Sequence, residues 1–349
     1  MAQDLTLAAT RLAERGLLPD PALRLGIRRL LRQRLQELRD GDSESAAVLT
    51  QRFLAELRAA PLALLPDKAN EQHYELPPAL FEAMLGPQRK YSCCWWPEGV
   101  DTLAQAEEAA LAETAARARL ADGQQILELG CGWGSLSLWM AARYPNARIL
   151  AVSNSASQRE FIEGQAQARG LGNLEVQTCD FNAFETPRRF DRVVSIEMFE
   201  HLRNWPLAFA KVARWLRDDG LFFLHVFAHR EAPYAFEARD ASDWMSRYFF
   251  SGGMMPSDDL ALLCQDELAL QQRWRWDGRH YARTAAAWLA QLDAQRGALM
   301  PLFETVYGAP HAPMWWQRWR LFLLSVEELF AYERGQRWWV SHYLFAPRR

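Results

Sequence analysis

Two acids and an imidazole stand within five residues, as Glu197, Glu200 and His201 of the stretch SIEMFEH. They close the apolar run Phe190–Ile196, so a strand should deliver them to one edge of a sheet. These residue types move protons. If helical geometry begins here, Glu197 shares a face with both Glu200 and His201, at i,i+3 and i,i+4. Burial and mutual repulsion would raise one carboxylate's pKa, while acids beside His201 would favour its protonated form. Which of the three is a base stays open at this level. The plainer alternative has Glu197 capping a helix and His201 packing.

A second stretch could bind rather than react. Gln125–Gly134 reads QILELGCGWG: a short apolar run holding Glu128, then Gly130, Gly132 and Gly134. The run predicts a strand buried on both faces, and the glycines supply backbone freedom for a tight turn or a close ligand. A helical pattern follows over 135–143, so the ligand should lie over the strand's carboxyl end. The spacing is G-x-G-x-G, not the dinucleotide G-x-G-x-x-G, and no Lys-Ser or Lys-Thr pair follows as in a Walker A loop.

The elements that must position these groups alternate. Strands are expected at 126–129, 148–153, 174–178, 190–195 and 221–227, with helices near 135–143, 155–169 and 206–217. This rhythm predicts an α/β fold with a mostly parallel sheet. Helical segments over 283–295 and 313–333 should interrupt or cover the sheet, and His342–Phe345 should return as a last strand. Residues 1–60 read as helices. Pro77–Pro78 marks another helix start, and 101–121 is an amphipathic helix leading into the sheet.

Composition narrows the class. Of 349 residues half are apolar, and the formal net charge is −3, which gives no sign of a nucleic-acid partner. No run approaches a membrane span. The first residues lack the apolar core of a signal peptide. Five cysteines (Cys93, Cys94, Cys131, Cys179, Cys264) form no zinc-type spacing and predict a reducing, cytoplasmic compartment. Between Leu23 and Arg39, leucines recur at helical spacing among Arg24, Arg28, Arg29, Arg32, Arg34 and Arg39. Such a helix can lie on an anionic membrane surface, though more often it packs on its own domain.

With these residues in view, ELGCGWG resembles motif I of class I S-adenosylmethionine methyltransferases, whose loop passes under the methionine moiety. Asn70–Tyr74, Lys90–Cys94, Ser153–Ser155, Ser195–His201, Tyr248–Pro256 and His280–Thr284 together resemble the cyclopropane fatty acid synthase family, and within it the coclaurine N-methyltransferase branch. The resemblance covers roughly residues 70–345. It implies a Rossmann-like methyltransferase domain over 70–349, with a helix-rich lid at about 232–335 and a helical N-terminal extension over 1–69. S-adenosylmethionine is the implied cofactor, with no metal. Tyr91, Ser92 and Gly130 are implied around its methionine part, Ser153 and Gln158 near the ribose, and Glu128, Gly132 and Gly134 as further cofactor-binding residues. Asp180 and Phe181 are implied at the adenine.

The same resemblance gives two chemistries. Amine methylation would use Glu197, Glu200 and His201 to attract an ammonium and remove its proton. Cyclopropane formation would use a bicarbonate held by the positions matching Cys93, Glu200, His225, Phe227 and Tyr281. Phe227 stands where Ile is usual, and Glu197 where those synthases have Gly. A second negative charge at ~4 Å costs about 4 kcal/mol at an effective dielectric near 20. Both departures point away from alkene chemistry, and the preferred substrate is a small, ring-bearing amine. Trp95, Trp96, Trp244, Trp315, Trp316 and Trp319 could form a slot for it through cation–π contacts, or pack as core. Ser251–Ser257 (SGGMMPS) reads as a loop over the entrance or an ordinary turn. Methyl or methylene addition to an unsaturated acyl chain, with the Arg-rich helix 23–39 at a lipid surface, is the runner-up. A cofactor-binding regulator without activity is third. A second copy of the chain is a further candidate partner.

Overall fold

The computed structural model describes residues 2–39, 41–62, 77–238 and 243–348, with side chains from Leu7 onward. The motif at Asn70–Tyr74 lies outside the described residues. Three helices come first: α1 (Ala2–Glu14), α2 (Asp20–Glu37) and α3 (Ser43–Ala59). The last starts where the Asp42 carboxylate accepts from Ser45 N–H at 3.1 Å. α4 (Pro78–Met84) begins with proline in its first turn, as the sequence suggested. α5 (Leu103–Arg117) opens on a reciprocal cap between Thr102 and Gln105.

The core alternates β1 (Gln125–Leu129), α6 (Ser135–Arg143), β2 (Arg148–Ser153), α7 (Ala156–Ala168), β3 (Leu174–Thr178), β4 (Phe190–Ile196), α8 (Trp205–Trp215) and β5 (Leu216–His229). β5 starts five residues before the expected strand. Leu216 already pairs with Phe190, and the polar Asp218–Asp219–Gly220 stretch is absorbed in a register shift. β6 (Tyr234–Ala235) and β7 (Met254–Met255) form a separate pair, and with β8 (Leu268–Trp276) and β9 (Trp338–Pro347) the seven-stranded sheet runs β3-β2-β1-β4-β5-β9-β8. β1 to β5 are parallel, while β9 runs antiparallel between β5 and β8.

β8 lies inside the region expected to be helical. Its LALQQRWRW pattern alternates, with Leu268 and Trp276 buried, and that period-two signal was overlooked beside the helices around it. Those helices are present: a short α9 (Trp244–Tyr248), α10 (Gly278–Ala294), α11 (Arg296–Tyr307) and α12 (Ala312–Ala331). Gly278 opens α10 because a Cβ there would meet Trp338 O at 2.2 Å.

The Arg-rich helix packs on its own chain. Leu23 and Leu35 join the core that contains Trp319 and Phe322 of α12. Arg24 pairs with Glu327 and Glu328 at 2.8 Å, and Arg28 with Glu328 at 2.5 Å. Arg34 binds Glu37 at 2.8 Å. Arg29, Arg32 and Arg39 remain exposed. Among the described residues no helix is long and apolar enough to cross a membrane. All five cysteines are free thiols.

Candidate active site

One cleft lies over the carboxyl ends of β1, β2 and β4, and it has a polar half and an aromatic half. In the polar half the glycine turn follows β1. Gly130 and Gly134 have φ of 77°, and a Cβ on them would meet Met198 at 2.5 Å and Ile162 at 2.6 Å. Gly132, with φ of 51°, faces open space, where a ligand can approach the backbone. Glu128 is buried and accepts from Ser137 Oγ. Burial pushes its pKa up to about 7, against the Ser137 hydrogen bond and the Lys90 charge.

At the end of β2, Ser153 Oγ donates to Gln158 Oε1 at 2.6 Å. That fixes the amide so that Gln158 Nε2, buried and lining the cleft, makes no hydrogen bond to a described residue. Ser135 Oγ and Trp133 Nε1 likewise have no partner among the described residues, in the same wall. The sequence reading missed both, although each sits beside a glycine of the turn. Asp180 and Phe181 line the far end, with Asp180 receiving Asn182 N–H at 2.9 Å. An open glycine wall, orphaned donors and an acid beside a ring suit a nucleoside joined to an amino acid. Tyr91 and Ser92 line the boundary with the other half.

The second half converges on Glu197. It follows β4 with φ of 49°, a left-handed conformation that costs a non-glycine residue energy. Its backbone N–H donates to His225 O at 2.9 Å. A 3-10 turn, Phe199–His201, comes next. The α-helical face expected for Glu197, Glu200 and His201 therefore does not form, because the chain leaves the strand through this turn. Glu197 Oε1 accepts from Cys93 N–H at 2.9 Å and lies 3.1 Å from His225 Nε2; Oε2 accepts from Tyr281 Oη at 2.6 Å. Cys93 Sγ points elsewhere, 3.3 Å from Cys94 O. Glu200 lies behind the cleft wall, with Oε1 accepting from Phe227 N–H at 2.9 Å.

Burial sets the charges. Glu200 is held well above the usual carboxylate range by burial and by the Glu197 charge. Glu197 is raised by burial; the Lys90 charge opposes this most, then the donors Tyr281 and Cys93 N–H and the His201 ring. Lys90 is itself buried and donates to Ser92 Oγ at 2.6 Å and Cys93 O at 2.7 Å. The acids beside His201 were expected to favour its protonated form. Instead burial lowers its pKa to about 4 against the Glu197 charge, and its ring stacks on Phe250 at 4.6 Å. His225 is likewise held well below its ordinary value.

The aromatic wall is Trp288, Tyr281, Phe227, Phe250 and Phe322. The six tryptophans proposed as a slot are elsewhere. Trp316 and Trp319 are core, Trp95 stacks on Trp276, and Trp315 stacks on Tyr307. Trp96 and Trp244 are tied to Thr284 and Glu14 through their indole N–H groups. Of the SGGMMPS stretch, Ser251 and Gly252 line the cleft, while Met254 and Met255 are buried in a two-residue strand pairing with Tyr234–Ala235.

Fold and cleft define a class I methyltransferase that uses S-adenosylmethionine. Residues 66–336 match the family model described as mycolic acid cyclopropane synthetase, and the chain belongs to that family. It is 36% identical to (S)-coclaurine N-methyltransferase of Thalictrum flavum subsp. glaucum over 339 residues, 96% of this chain and 94% of the relative. The cyclopropane-fatty-acyl-phospholipid synthase of Escherichia coli (strain K12) is 30% identical over 62% of this chain and 54% of its own. The crystal structure of coclaurine N-methyltransferase bound to N-methylheliamine and SAH superposes with a TM-score of 0.93 at 36% identity, covering 96% of this chain and 98% of that one.

Proposed function

We propose that this chain N-methylates a small, ring-bearing amine, with Glu197 as the proton acceptor. The observation that carries the reading is the occupancy of one point in the cleft. Cys93, Tyr281 and His225, three of the positions matched to a bicarbonate site, direct hydrogen bonds at the Glu197 carboxylate. A protein carboxylate thus stands where alkene chemistry would need a separate anion. Glu200, a fourth member of that set, is turned toward β5, where it accepts from Phe227 N–H.

The glycine turn, Ser153 with Gln158, Asp180 and Phe181 would hold S-adenosylmethionine, and Tyr91 and Ser92 would flank its methionine part. When bound, this group supplies an electrophilic methyl on a sulfonium. An ammonium entering between Trp288, Phe227 and Phe250 is drawn to the Glu197 charge, and the rings add cation–π attraction of ~0.5–2 kcal/mol each. An ammonium has no lone pair. Glu197 takes its proton, and the free amine can then attack. His201, neutral and with a low pKa, is the weaker base and serves to wall and polarise the site. The relatives' names add support, since both the first relative and the superposing structure are amine methyltransferases.

Purified protein with methyl-labelled S-adenosylmethionine should label members of a panel of cyclic secondary amines. It should leave vesicles of unsaturated phospholipid unlabelled. Label in the acyl chains and none in the amines would overturn the reading.

A further inference from the structure

Behind Glu197 the sheet carries a row of groups that the methylation step does not itself use. His225 on β5 and His342 on β9 are direct partners in the antiparallel register, so both rings project on the same side. Their centroids are 4.5 Å apart, with planes tilted by 33°, and Trp276 packs on both rings at 5.5 and 4.4 Å. Both histidines are completely buried. Beyond them, Arg117 Nη1 at the end of α5 lies 2.7 Å from His342 Nδ1, and Arg117 Nε lies 2.7 Å from Glu113 Oε1 near the surface.

The polarity of this row follows from its two ends. A guanidinium has only donors, so His342 Nδ1 must accept, and the neutral ring carries its proton on Nε2. At the other end, Glu197 Oε1 is an acceptor when ionised, so His225 donates from Nε2 and keeps Nδ1 as an acceptor. The two nitrogens left over, His342 Nε2 and His225 Nδ1, are one donor and one acceptor. Neither makes a hydrogen bond to a described residue. With the rings face to face, joining them requires a rotation of one ring or a bridging water.

We infer that Arg117 and His342 are positioning residues: they form a one-way donor row, Arg117 to His342 to His225 to Glu197, that fixes the His225 tautomer and holds the carboxylate oriented and ionised. The inference rests on Glu197 being the base. Burial, with the Lys90 and Arg117 charges, keeps His225 neutral, and His342 feels burial, His225, Arg117 and Lys90. Around Glu197 itself the charged or titratable neighbours are Lys90, Glu200, His201, His225, Tyr281 and Cys93. The row has a second consequence. Arg117 cannot accept a proton, so the one taken from each ammonium cannot leave this way and departs on the cleft side.

The test is the tautomer, read by nitrogen-15 NMR of histidine-labelled protein at neutral pH without substrate. Signals are assigned by their loss in H225Q and H342Q. Both rings should be neutral with the proton on Nε2; a proton on Nδ1 of either ring, or an imidazolium, overturns the row. Kinetics supply a second reading. H342L should move the acid limb of kcat up by about one pH unit, a tenfold loss below it, with cofactor affinity unchanged. H342Q, which can accept from Arg117 and donate to His225, should keep kcat within about threefold. A wild-type profile in folded H342L would contradict the inference. The NMR needs no turnover, so an amine panel that fails while the tautomers hold would sink the methylation reading alone.

Discussion

The two halves of the cleft are assembled in different ways. The polar half is local: the glycine turn spans five residues, and Ser153 meets Gln158 five residues away. The acceptor half is gathered from across the chain. Glu197 is 104 residues from Cys93, 84 from Tyr281 and 28 from His225. The local device is a short turn open to a ligand, whereas the distant gathering brings donors from three segments onto one carboxylate. Damage to the first half should register as cofactor affinity, and damage to the second as turnover.

The largest effect should come from the turn. Gly132→Val places a branched side chain at φ 51° in the open space facing the cleft. Cofactor binding should weaken by about 100-fold or more, roughly 3 kcal/mol, with the fold kept; calorimetry reads this. Wild-type affinity would remove the turn from the site. Gln158→Ala should be milder, about tenfold in cofactor affinity. At saturating cofactor its kcat should match wild type, and a fall in kcat instead would blur the division between the halves.

Lys90 spans the two halves, and pH exposes it. Glu197 must be unprotonated to accept a proton, and burial raises its pKa. The wild-type rate should therefore climb with pH, with its acid limb above the ordinary carboxylate range. Removing the Lys90 charge raises that pKa further, so Lys90→Met should shift the limb to higher pH. A shift to lower pH, or a flat profile with methyl transfer limiting, would reject the electrostatic account. The smallest effect belongs to the exposed arginines. Arg29→Gln with Arg32→Gln should change stability by no more than about 0.5 kcal/mol. Vesicle association should be weak in both proteins, and strong salt-sensitive binding by the wild type would favour a lipid surface after all.

This division also explains what could be read in advance. Gly130 to Gly134 sit in a short pattern whose spacing specifies a turn, so their place was legible, whereas Ser153 and Gln158 were implied only by the family resemblance. The alternation of strands and helices was legible for the same reason, down to β2 and β3. Glu197 was visible as an acid, but not its left-handed backbone, which replaced the expected helical face by a 3-10 turn. The neutral state of His201 was hidden because burial depends on Phe250 and the surrounding wall, not on the adjacent acids. The tryptophan slot failed because indoles at helical spacing packed inward, while Trp133 and Trp288 reached the cleft. His342 carried no local signal at all, since only strand register brings it to His225.

The central claim is that Glu197 is the proton acceptor in amine methylation, and one comparison tests it most directly. Glu197→Gln preserves shape while removing charge and basicity. On an amine identified by labelling, at saturating cofactor, kcat should fall by about 10²–10⁴-fold, the usual contribution of a positioned general base, with cofactor affinity unchanged. Undiminished turnover by the variant would contradict the account.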